Sequence, residues 1–342
     1  MLATRGASGE AVLWVGTRIG LARFERGRWR SFNKEAGLPD PVVRSLAVAH
    51  GPGGSRALWV GTRGGLVRIE RSRWTVFDSS SGLPAGAVTC LLEAAGSDGE
   101  PSLWAGIEGG GLARFDGERW SVVDTGSGLP DNGVRCLVET RGPDGEPSLW
   151  VGTDGGIGRF HGGRWSRLDV KSGLPHSVVM SLQASGDERG TSAVWAGTMG
   201  GGVARVDLGR WRTVDAASGL PSNSVWSFME THEPDGERRM WMGTLDGGVA
   251  RYGGGAWTTF DATSGLPDDF VLSLLETGTD GDRAVWVGTL GGGLARYENG
   301  AWTVFDTSSG LPHKTMLSLL ETVSPDGSRS VWAGTNGGGL AR

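Results

Sequence analysis

The chain has 342 residues and a formal net charge of −5, with no Lys/Arg block and no apolar run approaching the roughly 18 residues of a membrane span, so neither nucleic acid nor a membrane is an expected partner. Gly and Pro number 62 and 14, well above ordinary usage, yet 16 Trp carry too much apolar surface for a disordered chain. The opening MLATRGASGEAVLW has no apolar h-region, so no signal peptide is read there, and two Cys say little about redox compartment.

In chain order, the first feature is Trp14 in the pattern Trp-x-Gly. It recurs at Trp59, Trp104, Trp150, Trp195, Trp241, Trp286 and Trp332, at intervals of 45 or 46 residues. A second Trp follows each of the first seven by 15 or 16 residues, from Trp29 to Trp302, and Gly-Leu-Pro closes each of seven units, from Gly37-Leu38-Pro39 to Gly310-Leu311-Pro312. Only Trp226 stands outside the period. One unit reads V-x-S-L-L-E, L-W-V-G-T, G-G-G-L-A-R-F and W-x-x-F-D, followed by S-G-L-P, which are four β-prone runs a, b, c and d. Asp98-Gly99, Asp144-Gly145 and Asp280-Gly281 predict a–b hairpins, the Gly run between b and c supplies positive φ, and Pro after d presets the crossing to the next unit.

A four-stranded unit of about 45 residues is one propeller blade, and a ring of such sheets buries both faces of each. The expected fold is all-β, a β-propeller of four-stranded blades, with residues 1–342 as one domain. Seven runs of type a, eight b, eight c and seven d are counted. The first expectation is seven blades, closed by a clasp in which b, c and d of residues 11–33 accept run a of residues 316–322. The hairpin 331–342 is then a surplus partial repeat. Eight blades, or an incompletely closed ring, are the alternatives. An end at Gly339-Leu340-Ala341-Arg342, inside a run, points to a piece of a longer protein.

L-W-V-G-T-x-G-G-G-L-x-R-F, then W-x-x-F, then G-L-P-x-x-x-V-x-S-L-L-E, resembles the two-component regulator propeller repeat family over nearly the whole chain. The resemblance implies a bacterial, extracytoplasmic ligand-binding sensor. It also implies an output partner in the parent protein, a histidine kinase or similar domain, and no catalysis by the propeller itself.

Searches for other chemistry find little. The GGG runs lack GxxxxGK[ST] and a following helix, so no phosphate loop is read, and no cofactor is implied. His50, His161, His176, His232 and His313 have no metal-ligand spacing. Cys90 and Cys136 stand where other units carry Ser and are read as small packed residues, a disulfide being the lesser alternative. Asp78, Asp124, Asp169, Asp215, Asp261 and Asp306 are read as turn caps, ion-paired with the Arg that ends each run c.

Function belongs where the copies differ. In the b–c loop the variable residue runs Arg18, Arg63, Glu108, Asp154, Met199, Leu245, Leu290 and Asn336, and after Pro the d–a loop carries Asp131 and His176 among others. The candidate rim is therefore a polar arc of Arg18, Arg63, Glu108, Asp131, Asp154 and His176, and an apolar arc of Met199, Leu245 and Leu290, with Trp226 beside it. A small molecule or saccharide fits such a split, and a peptide nearly as well. The alternatives are a protein–protein platform and a propeller lyase or glycosidase, for which Asp131, Asp154 and His176 are the nearest approach to an acid–base cluster.

Overall fold

The computed structural model describes residues 1–6, 9–50, 54–95, 100–142, 145–186, 192–207, 210–233, 236–278 and 282–342. They form eight consecutive antiparallel sheets, ordered a-b-c-d in the first seven and a-b-c in the eighth. Blade 4 shows the plan, with Val134–Arg141, Pro147–Thr153, Gly156–His161 and Arg164–Leu168 as a to d. Strand b is covered by neighbouring blades on both faces, which is why it reads as a continuous apolar run rather than an alternating one. Strand d is the outer edge and alternates. Of the Asp-Gly hairpin signals, Asp98-Gly99, Asp144 and Asp280-Gly281 lie outside the described residues.

Blades pack through their aromatics. Trp59 of blade 2 meets Phe115 of blade 3 edge-on at 5.6 Å, and Trp241 of blade 6 meets Tyr297 of blade 7 at 5.7 Å. Trp332 of blade 8 meets Phe24 of blade 1 in the same way at 5.3 Å, within a cluster that buries Leu13 and Val15. That contact closes the ring at eight blades.

The seven-bladed clasp is thereby corrected. Leu2–Arg5 is strand a of blade 1 and pairs with Ala11–Gly16, Leu2 opposite Trp14, so that edge has no room for another strand. Met316–Val323 pairs within its own blade with Arg329–Thr335, Leu320 opposite Trp332. The hairpin 331–342 is therefore part of blade 8 and not surplus. Strand a of blade 1 escaped sequence reading because it is four residues long and lacks V-x-S-L-L-E.

The strand-c arginines do not pair with the turn aspartates. All eight instead lie over the strand-b Trp of their own blade, from Arg159 on Trp150 at 4.7 Å to Arg68 on Trp59 and Arg114 on Trp104 at 5.8 Å. Trp and Arg stand opposite one another in the b–c ladder, so a cation–π contact is the shorter reach. The aspartates do cap turns: Asp78, Asp169, Asp261 and Asp306 each close a capping box with a Ser three residues on. Cys90 and Cys136 are free thiols, and burial pushes Cys90 up to about 11 and Cys136 higher still.

Candidate functional site

Antiparallel order places the b–c and d–a loops on one face of the ring. In blades 2 to 8 the backbone N–H of the variable b–c residue donates to a d–a carbonyl. Arg63 bonds Val42 at 3.0 Å, Asp154 bonds Gly133 at 3.1 Å, Met199 bonds Val178 at 3.1 Å and Leu290 bonds Phe270 at 2.9 Å. The variable side chains thus stand on a rigid hydrogen-bonded lattice, the usual arrangement for binding loops. Arg18 of blade 1 is exposed, and the adjoining Ile19 is 83 % exposed.

The d–a residues after Pro have a structural task. Asp131 accepts from the Gly133 N–H at 2.7 Å, and the His176 Nδ1 accepts from the Val178 N–H at 3.1 Å. Asp40, Ser222, Asp268 and His313 do the same in their loops. Asp, Ser and His interchange there as acceptors that close the turn. Asp131 and His176 also press on the next b–c loop: a Cβ placed on Gly155 would stand 2.8 Å from the Asp131 Cβ, and one on Gly201 2.7 Å from that of His176. Only glycine fits under those caps.

A second variable column lies beside the first. In blades 2 to 8 the ladder slips between the first and third residues of strand a, as at Val43 and Ser45, leaving one bulged residue unpaired. A bulge re-aims its side chain. The bulged residues are Arg44, Thr89, Arg135, Met180, Trp226, Leu272 and Leu317. They occupy the x of V-x-S-L-L-E, where a column comparison would have found them, yet only Trp226 draws notice in the sequence, for breaking the Trp period.

The two columns meet. Arg44 reaches across to Glu108 of blade 3 at 3.1 Å, Arg135 pairs with Asp154, and Arg63 approaches Asp40 at 3.4 Å. All six charges lie on the side of the ring formed by blades 2 to 4. Blades 5 to 8 instead expose Met199 (40 %), Trp226 (37 %), Leu290 (42 %) and Leu317 (50 %), with Met180, Leu245 and Leu272 half-buried among them. Asp131, Asp154 and His176 do not form a free acid–base set: two are turn caps and the third is ion-paired. Among the described residues no group of three or more His, Cys, Asp or Glu could hold a metal ion, and no helix is long and apolar enough to cross a membrane.

With this geometry in view, the chain resembles several solved structures. It is similar to the extracellular domains of two B. thetaiotaomicron proteins, one described as a hybrid two component system (BT3049) and one as a one component system (BT4673). Identities are 18 % and 16 %, TM-scores 0.59 and 0.55, covering 99 % of this chain and 50 % and 51 % of those chains. It is also similar to an ancestral GH74 enzyme, at 14 % identity and a TM-score of 0.55 over 95 % of this chain and 47 % of that one. The chain therefore spans about half the length of these structures. They share its propeller fold, and the resemblance read from the repeat holds at that level. No family model and no curated protein matches the chain.

Proposed function

We propose that this chain is a ligand-binding sensor propeller with no catalysis of its own, acting outside the cytoplasm and passing its signal to an output domain of a parent protein. The observation that carries this reading is that two independent columns, the b–c loop and the strand-a bulge, change from charged or polar to apolar at the same point of the ring. Drift in exposed loops gives no reason for the two columns to change together. The Arg44–Glu108 and Arg135–Asp154 pairs are exposed, so each is worth only about 0–1 kcal/mol, and their groups are readily re-partnered by a ligand. Hydroxyls of a sugar suit the polar arc and its apolar face the other, and the sensor neighbours are of the same fold.

The test is a thermal-shift screen against glycans and metabolites with three proteins: wild type, Arg44→Ala/Arg135→Ala, and Trp226→Ser/Leu290→Ser. Ligands of this face stabilise wild type and lose most of their shift in both variants. Identical shifts in all three place the site elsewhere. Hits confined to peptides, with sensitivity only to the apolar pair, favour the protein-platform reading, for which the exposed Met199, Trp226, Leu290 and Leu317 are the supporting feature.

A further inference from the structure

On the side of the a–b loops, the joint between blades 6 and 7 is built differently from the others. In five other blades the strand-c Arg over the Trp is tied down within its own sheet. Arg23 and Arg296 each pair with a Glu two residues on, Glu25 at 2.8 Å and Glu298 at 2.7 Å. Arg114, Arg159 and Arg342 donate to the Ser two residues before the Trp, Ser102, Ser148 and Ser330, at 2.8–3.1 Å. Blade 6 has neither tie. Gly253 stands in the place of the Glu and Arg239 in the place of the Ser. A Cβ on Gly253 would lie 2.8 Å from the Arg239 Cγ, so the glycine leaves room for the arginine stem. Arg251 keeps its place over Trp241, at 5.4 Å, and among the described residues its one hydrogen bond goes to the Thr258 hydroxyl at 3.5 Å. Arg239 stands 3.7 and 3.9 Å from the carboxylates of Glu233 and Glu237, too far for a hydrogen bond.

The carboxylate that faces them from blade 7 also lacks a donor. Its counterparts bond back to the preceding blade: Glu93 accepts from the His50 N–H at 2.6 Å, Glu139 from the Ala95 N–H at 3.0 Å, and Glu230 from the Ser185 hydroxyl. Glu276 accepts no hydrogen bond from a described residue, and the Arg283 guanidinium stands 3.7 Å away. Burial lifts the Glu276 carboxyl above its ordinary value. Arg239, Arg251 and Glu276 line one groove of about 350 Å³ between the two blades, walled by Trp241, Tyr297 and Val285. Arg283, Glu233 and Glu298 complete its charged lining, three positive and three negative groups, so the lining has no net charge.

We propose that this groove is a second binding site, for a small zwitterion that carries a carboxylate and an ammonium group, as a free α-amino acid does. The ligand carboxylate lies against the guanidinium groups of Arg239 and Arg251, whose N–H forks match its two oxygens. The ammonium lies against Glu276, and the remainder of the ligand along Tyr297 and Val285. A dianion is repelled by the three carboxylates and a dication by the three guanidinium groups, so a neutral lining with both charges loosely held selects a ligand that also has both. The site lies on the opposite side of the ring from the b–c and d–a loops and does not rest on the reading of that face.

Calorimetric titration of the chain with each of the common L-amino acids tests it. At least one is expected to bind saturably, and its N-acetyl and α-amide forms at least tenfold more weakly. The variant Arg239→Ala/Gly253→Glu copies blade 7, which holds Ala284 and Glu298 at those places. It is expected to melt like wild type and to bind at least tenfold more weakly. Glu276→Gln is expected to weaken binding to a similar degree, whereas Arg44→Ala/Arg135→Ala on the loop face is expected to leave it unchanged. Three results each overturn the proposal: no amino acid binds, the blocked forms bind as well as the free one, or affinity falls only with the loop-face pair.

Discussion

Each strand-b Trp carries an indole N–H into the packing between blades, and how that donor is met varies from blade to blade. Trp14, Trp150, Trp241, Trp286 and Trp332 donate to a Thr on strand a, at 2.9–3.1 Å. In blades 2 and 3 the Thr is replaced by Ala49 and Ala94, and the Nε1 atoms of Trp59 and Trp104 are buried with no partner. An unmet buried donor costs more than a made bond returns. Ala49→Thr and Ala94→Thr are each expected to stabilise the protein by about 1 kcal/mol, since five sister blades hold Thr at that place. Denaturant unfolding reads the change directly. A loss of stability in both would show that the space beside these indoles is already filled.

The d–a crossing is the element where charge meets fold stability. Side-chain hydrogen bonds from Ser80, Ser127, Ser172, Ser218, Thr263 and Ser308 hold Asp78, Asp124, Asp169, Asp215, Asp261 and Asp306 below the usual 3.8. Groups with lowered folded pKa values stabilise the fold above the ordinary value, and that contribution is lost as pH falls through the folded one. Melting temperature is therefore expected to fall as pH drops below about 4. Blade 1 shows the control, because there Asn33 accepts the same turn N–H groups with a neutral side chain. Replacing the six aspartates by Asn should flatten the acid limb while leaving melting near neutral pH little changed. An acid limb of unaltered slope would assign acid unfolding to other carboxylates.

At the scale of the whole molecule, stability depends on closing the ring. Each blade buries its faces only against neighbours, so a missing neighbour exposes two surfaces at once. A chain shortened to end at Glu321 loses Arg329–Thr335 and with it Trp332, leaving Leu13, now 1 % exposed, and Phe24 without cover. Losing the Trp332 packing alone costs about 3–5 kcal/mol. The shortened chain is expected to melt well below the full one, or without cooperativity. Equal melting temperatures would mean that blade 1 does not need blade 8.

The blade and its repeat were legible in the sequence because the period is written into residues with one physical role each. Trp and Leu are core, Gly and Pro are turns, and Asp is a cap. Local chemistry also pointed to the loop face, since variable residues in an otherwise strict repeat stand out without coordinates. Three things needed the tertiary structure. The blade number turned on Leu2–Arg5, a short strand with no motif, recognisable only by its pairing with Ala11–Gly16. The Arg partner was decided by cross-strand adjacency, which sets Arg159 against Trp150 rather than against a turn Asp. The second column of the candidate site needed the bulges: a one-residue slip in the ladder leaves Arg44, Arg135, Trp226 and Leu317 unpaired within strand a. The slip is a property of pairing between strands, so it has no signature within one.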